Sequence, residues 1–324
     1  MHRRLAVMAL SLAAAVFGAT SAAAQDFPTK PIRMIVPVPP GGTGDMVSRL
    51  FANVAAKDLG QPIVVENRPG ATGNIGTVAA VKSPADGYTI FLCSIGNCAV
   101  NSSLYANPGF DLFKDVAPVV LLGYSINVLT AGPQTGITSV ASLLAKARSG
   151  QLSYASSGVG ASNHLAGEML KKVSGVPLLH VPYKGSGPAI TDLLGGQVQV
   201  FFDNEPSILP FIKSNRVKAL AVTGKTRSAN LPEVPTMEEL GYKGFVIEPW
   251  YAIGAPAATP PAIVARLNTA FNHALQDAAV RKTLQEAGIS PGGGTAAAFG
   301  HHMRQEYDKW AELIRTQKIS ADSP

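Results

Sequence analysis

One pattern of apolar and polar positions recurs along most of the chain: a short apolar or β-branched run, a loop of small residues, and then apolar positions at helical spacing. It first occurs as "IRMIVPV", followed by "PPGGTG" and by "DMVSRLFANVAAKDLG", with Gly60 as the predicted helix end. Five further units begin at "PIVVENR", "YTIFLC", "LSYASS", "LLHVPY" and "VQVFFD". Alternating strands and helices of this kind predict an α/β protein with parallel sheets that carry helices on both faces.

The loops between these strands and helices are where a ligand is expected, because ligands of open parallel sheets bind beyond the carboxyl ends of the strands. The six loops consist mostly of Gly, Ser, Thr and Asn, and the exceptions in or beside them are Asp45, Lys184, Asp203 and Glu205. Such loops offer few groups for acid–base or nucleophilic chemistry. They do offer backbone N–H groups at helix starts, where the helix dipole favours an anion and glycine allows close approach.

Main-chain donors alone are sufficient for a useful affinity. A hydrogen bond to a charged group contributes roughly 1.5 to 3 kcal/mol, so three or four of them reach the about 8 kcal/mol of a micromolar complex. We therefore interpret "PPGGTGD" and "PGATGN" as the two halves of a site that binds an anion.

Residues 1–24 are predicted to be a secretory signal peptide. Basic residues precede an apolar stretch from Leu5 to Phe17, and small residues at Ala22 and Ala24 suit cleavage before Gln25. The stretch is shorter than the roughly 20 apolar residues of a membrane anchor. The remaining chain of about 300 residues is long enough for two domains, and we expect it to be exported in soluble form.

Charge and cysteine usage exclude some classes of function. The formal net charge is +6, but no run of Lys or Arg exceeds two residues. The chain therefore lacks the clustered basic residues that are typical of nucleic-acid-binding proteins. Cys93 and Cys98 are the only cysteines, and in an exported protein they predict either a disulfide across a strand-to-helix loop or two buried thiols. No His or further Cys stands at ligand spacing from them, so neither a metal site nor a cofactor is predicted.

The loops and their flanking segments resemble those of the substrate-binding proteins of tripartite tricarboxylate transporters, the Bug or TctC-like family. The resemblance spans nearly the whole chain after the signal peptide and includes "PIRMIVPVPPGGTGDMVSRL", "VVENRPGATGNIGTVAAVKSPADGYTI", "LSYASSGVGASNHLAGEML" and "HVPYKGSGPAITDLLGGQVQVFFDN". It implies a two-lobed periplasmic receptor of the type II binding-protein class, with a mostly parallel sheet in each lobe, that closes over one small organic carboxylate. Such a receptor would be a monomer without a cofactor and would deliver its ligand to a membrane permease.

The resemblance also implies how the chain divides. One lobe would comprise residues 26–126 and 248–324, and the other residues 127–247. Two segments would cross between the lobes, "VVLLGYSINVLTAG" near Ile126 and "FVIEPWYAIGAPA" near Glu248.

The resemblance further assigns ligand-binding residues. Main chain and ordered water of the first lobe would hold the carboxylate at Gly41, Gly42, Thr43 and Asp45 in the first loop and at Ala71, Thr72, Gly73 and Asn74 in the second. Selectivity would come from Ser157, Ser162, His164, Asp203 and Asn204 on the facing lobe, and from Ser94 and Asn97 in the third loop. Val38 and Pro39 complete the predicted lining, and Val38 stands where the family commonly has an aromatic residue, which leaves the pocket roomier.

Two features depart from the family pattern. Glu205 follows "FDN", where an apolar residue is more usual. If its side chain faces the cleft, a second acid beside Asp203 would select a ligand amino group or repel a second carboxylate. The cysteines of "CSIGNC" stand at a variable place, so the roles of Ser94 and Asn97 follow less directly from the resemblance.

Some residues keep a structural interpretation beside the functional one. Asp45 either caps the helix that begins near Met46 or contacts the ligand, and the two roles are compatible. His164 either ties its own loop together or binds the ligand.

Other functional classes fit the sequence less well. "GTGDMV" is only a partial G-x-G-x-x-G fingerprint of nicotinamide enzymes, because its third small residue is replaced by Val47. A serine hydrolase using Ser162, His164 and Asp203 would lack the G-x-S-x-G elbow, since the chain has G-x-S-x-H there. A receptor that signals to a membrane sensor is an alternative that the sequence does not separate from a transport receptor.

Overall fold

The computed structural model describes residues 27–150, 152–317, 319 and 321. The predicted signal peptide, residues 1–24, lies outside that range. Within it, no helix combines the length and the apolar character needed to cross a membrane.

In the described part of the chain, eleven strands form two sheets. The strands are β1 (Ile32–Val36), β2 (Ile63–Asn67), β3 (Thr89–Ser94), β4 (Val116–Tyr124), β5 (Asn127–Ala131), β6 (Ser153–Ser156), β7 (Leu179–Pro182), β8 (Val200–Asn204), β9 (Lys218–Val222), β10 (Trp250–Pro256) and β11 (Ser290–Pro291). The first sheet has the order β11-β4-β10-β3-β1-β2, and the second sheet has the order β7-β6-β8-β5-β9. The chain passes to the second sheet between β4 and β5 and returns before β10.

Helices connect and flank these strands, which confirms the α/β class predicted from the recurring pattern. Over the described residues they are α1 (Thr43–Leu59), α2 (Asn74–Val81), α3 (Asn101–Leu104), α4 (Leu112–Asp115), α5 (Val140–Ser149), α6 (Ser162–Ser174), α7 (Ser186–Gly195), α8 (Glu205–Lys213), α9 (Pro261–Gln276), α10 (Ala278–Glu286) and α11 (Ala296–Gln317). A 3₁₀ turn (Ala71–Gly73) precedes α2, and a π-helical turn (Gly96–Val100) precedes α3. Gly60 ends α1 in the left-handed conformation, as predicted.

Both sheets are mixed, but most strands of each run in the same direction, as predicted: β1, β2, β3 and β4 in the first sheet, and β6, β7, β8 and β9 in the second. Strand β1 is parallel to β2 and β3, whereas β10 is antiparallel to β3 and β4, and β11 to β4. In the second sheet β6 is parallel to β7 and β8, while β5 is antiparallel to β8 and β9. The antiparallel members β5 and β10 are the strands that follow the two passages between the sheets.

Strand alternation in β1 divides its apolar residues between two cores. Met34 and Val36 are fully buried in a cluster with Phe51 of α1, whereas Ile35 belongs to a different cluster together with Phe91. Successive side chains of a strand point to opposite faces, so helices are held on both sides of the sheet. This packing fixes where α1 begins relative to the end of β1.

The parallel strands bring five loops to the sheet edges at which they end. In the first sheet these are loop 1 (residues 37–42), loop 2 (residues 68–73) and loop 3 (residues 95–100). In the second sheet they are loop 4 (residues 157–161) and loop 5 (residues 183–185), while β8 continues directly into α8. Each of these connections leads from the carboxyl end of a strand to the amino end of a helix.

Candidate ligand-binding site

The loops of the first sheet contact those of the second directly. The hydroxyl oxygens of Thr43, at the start of α1, and Ser207, in α8, lie 2.9 Å apart in a hydrogen bond. The Thr72 hydroxyl in loop 2 donates to the main-chain oxygen of Val159 in loop 4. The two sets of predicted site residues therefore meet along one interface between the sheets.

The amino end of α1 lacks a side-chain cap. Gly42 occupies the capping position in an extended conformation, and among the described residues no side chain accepts from the main-chain N–H groups of the first turn. The first N–H groups of an α-helix have no partner within the helix, and the helix dipole adds partial positive charge at this end. The first turn of α1, which includes Thr43 and Gly44, thus presents donors to which an anion can bind.

Asp45 supports loop 1 from within. Its carboxylate accepts hydrogen bonds from the Gly41 N–H at 3.0 Å, from Asn67 Nδ2 at 2.8 Å and from Arg49 Nε at 3.1 Å. Burial disfavours the charged form, but the bonds from Arg49, Gly41 and Asn67 outweigh that effect and lower the pKa of Asp45. The carboxylate is therefore fully engaged, and it also occupies the main-chain donor of Gly41.

Loop 2 holds an unusual backbone conformation. Ala71 and Thr72 have φ values of 45° and 48°, in the left-handed region that non-glycine residues seldom adopt, and Gly73 has 96°. Asn101 Nδ2 stabilises this turn by donating to the main-chain oxygen of Thr72 at 2.9 Å and to Asn74 Oδ1 at 2.8 Å. No side chain caps α2 at Gly73. The N–H groups of Gly73 and Asn74 donate instead to the main-chain oxygens of Gly70 and Ala71.

Loop 3 is organised by one amide. Asn97 Oδ1 accepts from the Ser94 main-chain N–H at 2.9 Å and from the Ser94 hydroxyl at 2.7 Å, and Asn97 Nδ2 donates to Thr77 at 2.9 Å. Cys93 and Cys98 are joined by a disulfide across the same loop, with their Cα atoms 5.5 Å apart. Both polar ends of the Asn97 side chain are thus engaged by the protein.

Val38 and Pro39 lie at different parts of the interface. The Val38 carbonyl accepts from Asn67 Nδ2 at 3.1 Å, and its side chain is so close to Gly44 that a Cβ there would lie 3.2 Å from Val38 Cγ2. Pro39 lies against loop 5, where a Cβ at Gly185 would be 3.3 Å from Pro39 Cγ. Loop 1 consequently touches both its own helix and the opposite sheet's loop.

Loop 4 is tied together by its own helix. Asn163 Oδ1 accepts from the Ser157 main-chain N–H at 3.0 Å, and Asn163 Nδ2 donates to the Ser157 hydroxyl at 2.9 Å. His164 Nδ1 accepts from the Gly160 N–H at 3.1 Å, and its ring lies 4.2 Å from that of His180. Burial lowers the pKa of His164 to about 4, so the imidazole is neutral and ties its loop.

A polar cluster occupies the end of β8 and the start of β5. Asn127 Oδ1 accepts from Asn204 Nδ2 at 2.6 Å and from the Ser162 hydroxyl at 3.3 Å. Tyr251 of β10 donates to Asn204 Oδ1 at 2.9 Å, which connects the first sheet to this cluster. The side-chain nitrogen of Asn127 is buried without a hydrogen-bond partner.

Asp203 is a fully buried carboxyl group with spare hydrogen-bonding capacity. Its Oδ1 accepts from the Ser186 hydroxyl, at the start of α7, over 2.7 Å. Its Oδ2 is buried and has no partner. Burial raises the pKa of Asp203 to about 7, although Ser186, the Asn204 main chain and Asn163 act in the opposite direction.

Glu205 does not join the other predicted residues. Its carboxylate accepts from the Ser228 hydroxyl at 2.6 Å and from Asn230 Nδ2 at 2.9 Å. It also lies directly against Gly288, where there is no room for a Cβ. Burial raises the pKa of Glu205. The side chain thus contacts the segment after β9 and the end of α10, and none of the five loops.

A cavity of about 600 Å³ adjoins the contact between Thr43 and Ser207. Loop 1, α7 and α8 contribute Gly41, Ser186, Ile190, Ser207 and Phe211 to its lining. Ser186 therefore lies between this cavity and the buried carboxyl group of Asp203, to which its hydroxyl donates.

Several polar residues at this interface were not identified from the sequence. They are Asn101, Asn127, Asn163, Ser186 and Tyr251. Asn127 begins β5 and Tyr251 lies in β10. In such apolar strands the sequence pattern predicts only that a residue is buried. Asn163 and Ser186 stand next to predicted loops, so a rule that includes the first helical turn after each loop would have found both.

The hydrolase arrangement is not assembled. Ser162 donates to Asn127, His164 accepts from the Gly160 main chain, and Asp203 accepts from Ser186. In the described part of the chain, no group of three or more His, Cys, Asp and Glu side chains is placed to hold a metal ion. The site's chemistry is thus that of neutral hydrogen-bonding groups, helix ends and one buried acid.

Comparison with known proteins assigns this arrangement to a family. The sequence model of the tripartite tricarboxylate transporter family receptors, TctC, matches residues 47–319. The chain belongs to this receptor family. Protein BugT of Bordetella pertussis (strain Tohama I) is 41% identical to it over 97% of either chain.

Solved structures of TctC-type receptors share the fold. An R. palustris protein solved with adipate is 36% identical, with a TM-score of 0.88 over 91% of this chain and 99% of its own. MatC from Rhodopseudomonas palustris, solved with bound malate, is 29% identical, with a TM-score of 0.84 over 89% of this chain and 100% of its own. The family is one of periplasmic binding receptors.

Proposed function

We propose that the protein is a periplasmic receptor that captures a small organic carboxylate between two closing lobes and delivers it to a tripartite-type membrane permease. The observation that carries this proposal is the uncapped start of α1, next to loop 2, at the edge where the loops of both sheets meet. The adipate and malate in the two R. palustris structures support a carboxylate as the ligand class.

The carboxylate would bind to the main chain at the start of α1 and in loop 2. The N–H groups of Gly41, Gly73 and Asn74 are already bound, to Asp45 and to the main-chain oxygens of Gly70 and Ala71. The donors we assign to the ligand therefore belong to Gly42, Thr43 and Gly44, with Ala71 and Thr72 from loop 2. Hydrogen bonds from such donors to a charged group contribute roughly 1.5 to 3 kcal/mol each. Ordered water can complete the set in a loop of this polarity.

Closure would bring the second lobe onto the bound ligand. We assign residues 26–126 and 248–324 to one lobe and residues 127–247 to the other. The bonds between Thr43 and Ser207 and between Tyr251 and Asn204 join these lobes, so they are available only to the closed form. Closure excludes water, which strengthens the electrostatic contacts inside.

A signal peptide over residues 1–24 would export the chain, and we propose that the mature receptor works as a monomer. No catalysis is part of the proposal. The side chains with titratable or nucleophilic groups at the interface are bound to other protein groups, and the receptor family supplies binding rather than chemistry.

A thermal-shift screen of the purified mature protein against a library of small carboxylic acids tests this function. A ligand at 100 times its dissociation constant adds about 2.7 kcal/mol to the free energy of unfolding. We expect at least one acid to give such a shift, and its primary amide to give none. Failure of every acid, together with mass spectrometry that finds no acid retained by the native protein, would contradict the proposal.

A further inference from the structure

Three buried polar atoms at the interface between the sheets have no hydrogen-bond partner. They are Asp203 Oδ2, Asn127 Nδ2 and Asn101 Oδ1, and all three residues are fully buried. A buried polar group without a partner is costly, and such groups in proteins are normally satisfied by water or ligand. Their position beside the proposed carboxylate site indicates that a ligand completes them.

The three atoms differ in what they require. The Asn127 nitrogen donates and needs an acceptor, whereas Asn101 Oδ1 and the ionised carboxylate of Asp203 accept and need donors. An unsubstituted dicarboxylate in its ionised form offers acceptors alone. It would satisfy Asn127 and would leave ionised Asp203 unpaired.

The surroundings of Asp203 strengthen this requirement. Its Oδ1 already accepts from Ser186, and the groups that influence its ionisation include no cationic side chain. A second ligand carboxylate near Asp203 would be repelled whenever Asp203 is ionised, and repulsion between like charges is strong where water is excluded. A donor from the ligand would instead replace the missing partner.

We propose that the ligand is a carboxylate bearing a hydroxyl or ammonium substituent, which donates to Asp203 Oδ2 while a ligand oxygen accepts from Asn127 Nδ2. This inference rests on the proposed function, because it assumes that a carboxylate occupies the interface. Asp203 is then a specificity-determining residue that selects among carboxylates. The main-chain donors of the first sheet's loops bind the carboxylate group that all of these ligands share.

Matched sets of acids that differ in one substituent test the inference. The sets are succinate, malate and aspartate, and adipate, 2-hydroxyadipate and 2-aminoadipate, each measured by calorimetric titration of the purified mature protein. We expect the hydroxy or amino member of a set that binds to have at least tenfold higher affinity than the unsubstituted member. An unsubstituted acid that binds as tightly as both substituted ones would overturn the inference and leave the proposed function intact. If both sets and the wider acid library show no binding, the proposed function fails and the inference fails with it.

The pH dependence separates the two kinds of donor. An ammonium group pairs best with ionised Asp203, so the affinity of the amino acid should rise between pH 5 and pH 8. A hydroxyl group can donate to either form, so the affinity of the hydroxy acid should change less than threefold over the same range. If a substituted acid binds at least tenfold more tightly than the unsubstituted one, either of these pH dependences supports a ligand group that donates to Asp203.

Substitution of Asp203 gives a second readout. Asp203→Asn keeps the size of the side chain and should reduce the preference for the substituted acid to below threefold, while affinity for the unsubstituted acid stays the same or rises. Asp86→Asn, outside the loops, is the control and should keep the preference. A folded Asp203→Asn protein with an unchanged preference would contradict the role of this carboxylate.

Discussion

The loops of the first sheet and those of the second use their side chains differently. In the first sheet, the side chains of Asp45, Asn74 and Asn97 are bound to other protein groups and shape the backbone. In the second sheet, Asp203 and Asn127 keep unpaired polar atoms in the described structure, and Asn101, which follows loop 3 of the first sheet, keeps one as well. From this difference we infer a division of roles: main-chain groups of the first sheet's loops would bind the carboxylate, and Asp203 and Asn127 would contact the part of the ligand that varies.

Gly42→Val should give the largest effect, because it blocks the approach to the amino end of α1. Nothing lies within 4 Å of a Cβ built at Gly42, so the new side chain would occupy open space in front of the helix. We expect at least a hundredfold loss of affinity for every ligand, about 2.7 kcal/mol. The free energy of unfolding should fall by only about 1 kcal/mol, the cost of a poor helix cap.

Gly150→Val serves as its control, since Gly150 also has an extended backbone and lies at the end of α5, away from the five loops. Calorimetric titration and chemical denaturation of both variants separate affinity from stability. An unchanged affinity in Gly42→Val would contradict the proposal that main-chain groups at the start of α1 bind the carboxylate.

Asp45→Ala should lower stability and affinity together. It leaves the Gly41 N–H, Asn67 and Arg49 without their shared acceptor, and we expect a loss of about 2 kcal/mol in unfolding free energy with roughly tenfold weaker binding of all ligands. Asp277→Ala, which removes the cap of α10, is the matched control. It should cost about 1 kcal/mol without a change in affinity. Re-ranked ligands in Asp45→Ala would mean that Asp45 contacts the ligand itself.

The pH dependence of the free energy of unfolding should reveal the ionisation of Asp203, the buried acid of the second sheet. The pKa of Asp203, about 7 in the folded protein, is above that of an unfolded aspartate. Its protonated form therefore stabilises the fold, and this stabilisation is lost as pH rises from about 4 to 7, by up to about 1.4 kcal/mol per pH unit. The stability of Asp203→Asn relative to the wild type should increase over that range in urea denaturation. A constant difference would contradict the assignment.

Ser207→Ala should give the smallest effect, because it removes one neutral hydrogen bond to Thr43. Such a bond contributes about 0.5 to 1.5 kcal/mol, so we expect about threefold weaker binding. Ser214→Ala, at the end of the same helix, removes only a bond to its own helix and should leave affinity unchanged. A loss in Ser207→Ala confined to one ligand would place Ser207 in the ligand contact instead of in closure.

The local part of this architecture could be predicted from the sequence, because it depends on near neighbours. Apolar runs followed by small residues located β1, β2 and their helices, and Gly60 marked the end of α1 through its left-handed conformation. Relative strand direction could not be predicted at the two passages between the sheets. There the chain lacks the recurring strand–loop–helix pattern, so the pattern offers no signal for the direction of β5 and β10.

Partners that are distant in the sequence could not be predicted. Tyr251 reaches Asn204 across 47 positions, and Asn230 and Ser228 bind Glu205 in a place that its neighbours in the sequence do not reveal. The same holds for Asp45, whose capping and ligand-binding interpretations were open until Arg49 and Asn67 were seen to occupy its carboxylate. Whether a polar side chain has all its hydrogen-bond partners depends on the folded structure, and its neighbours in the sequence do not show it.

A crystal structure of the mature protein with a carboxylate identified by the screen tests the central claim most directly. We predict carboxylate oxygens within about 3 Å of main-chain nitrogens in the first turn of α1, at Thr43 or Gly44, and close to loop 2 at Ala71 or Thr72. A carboxylate held by a lysine or arginine side chain away from the start of α1 and loop 2 would contradict the account.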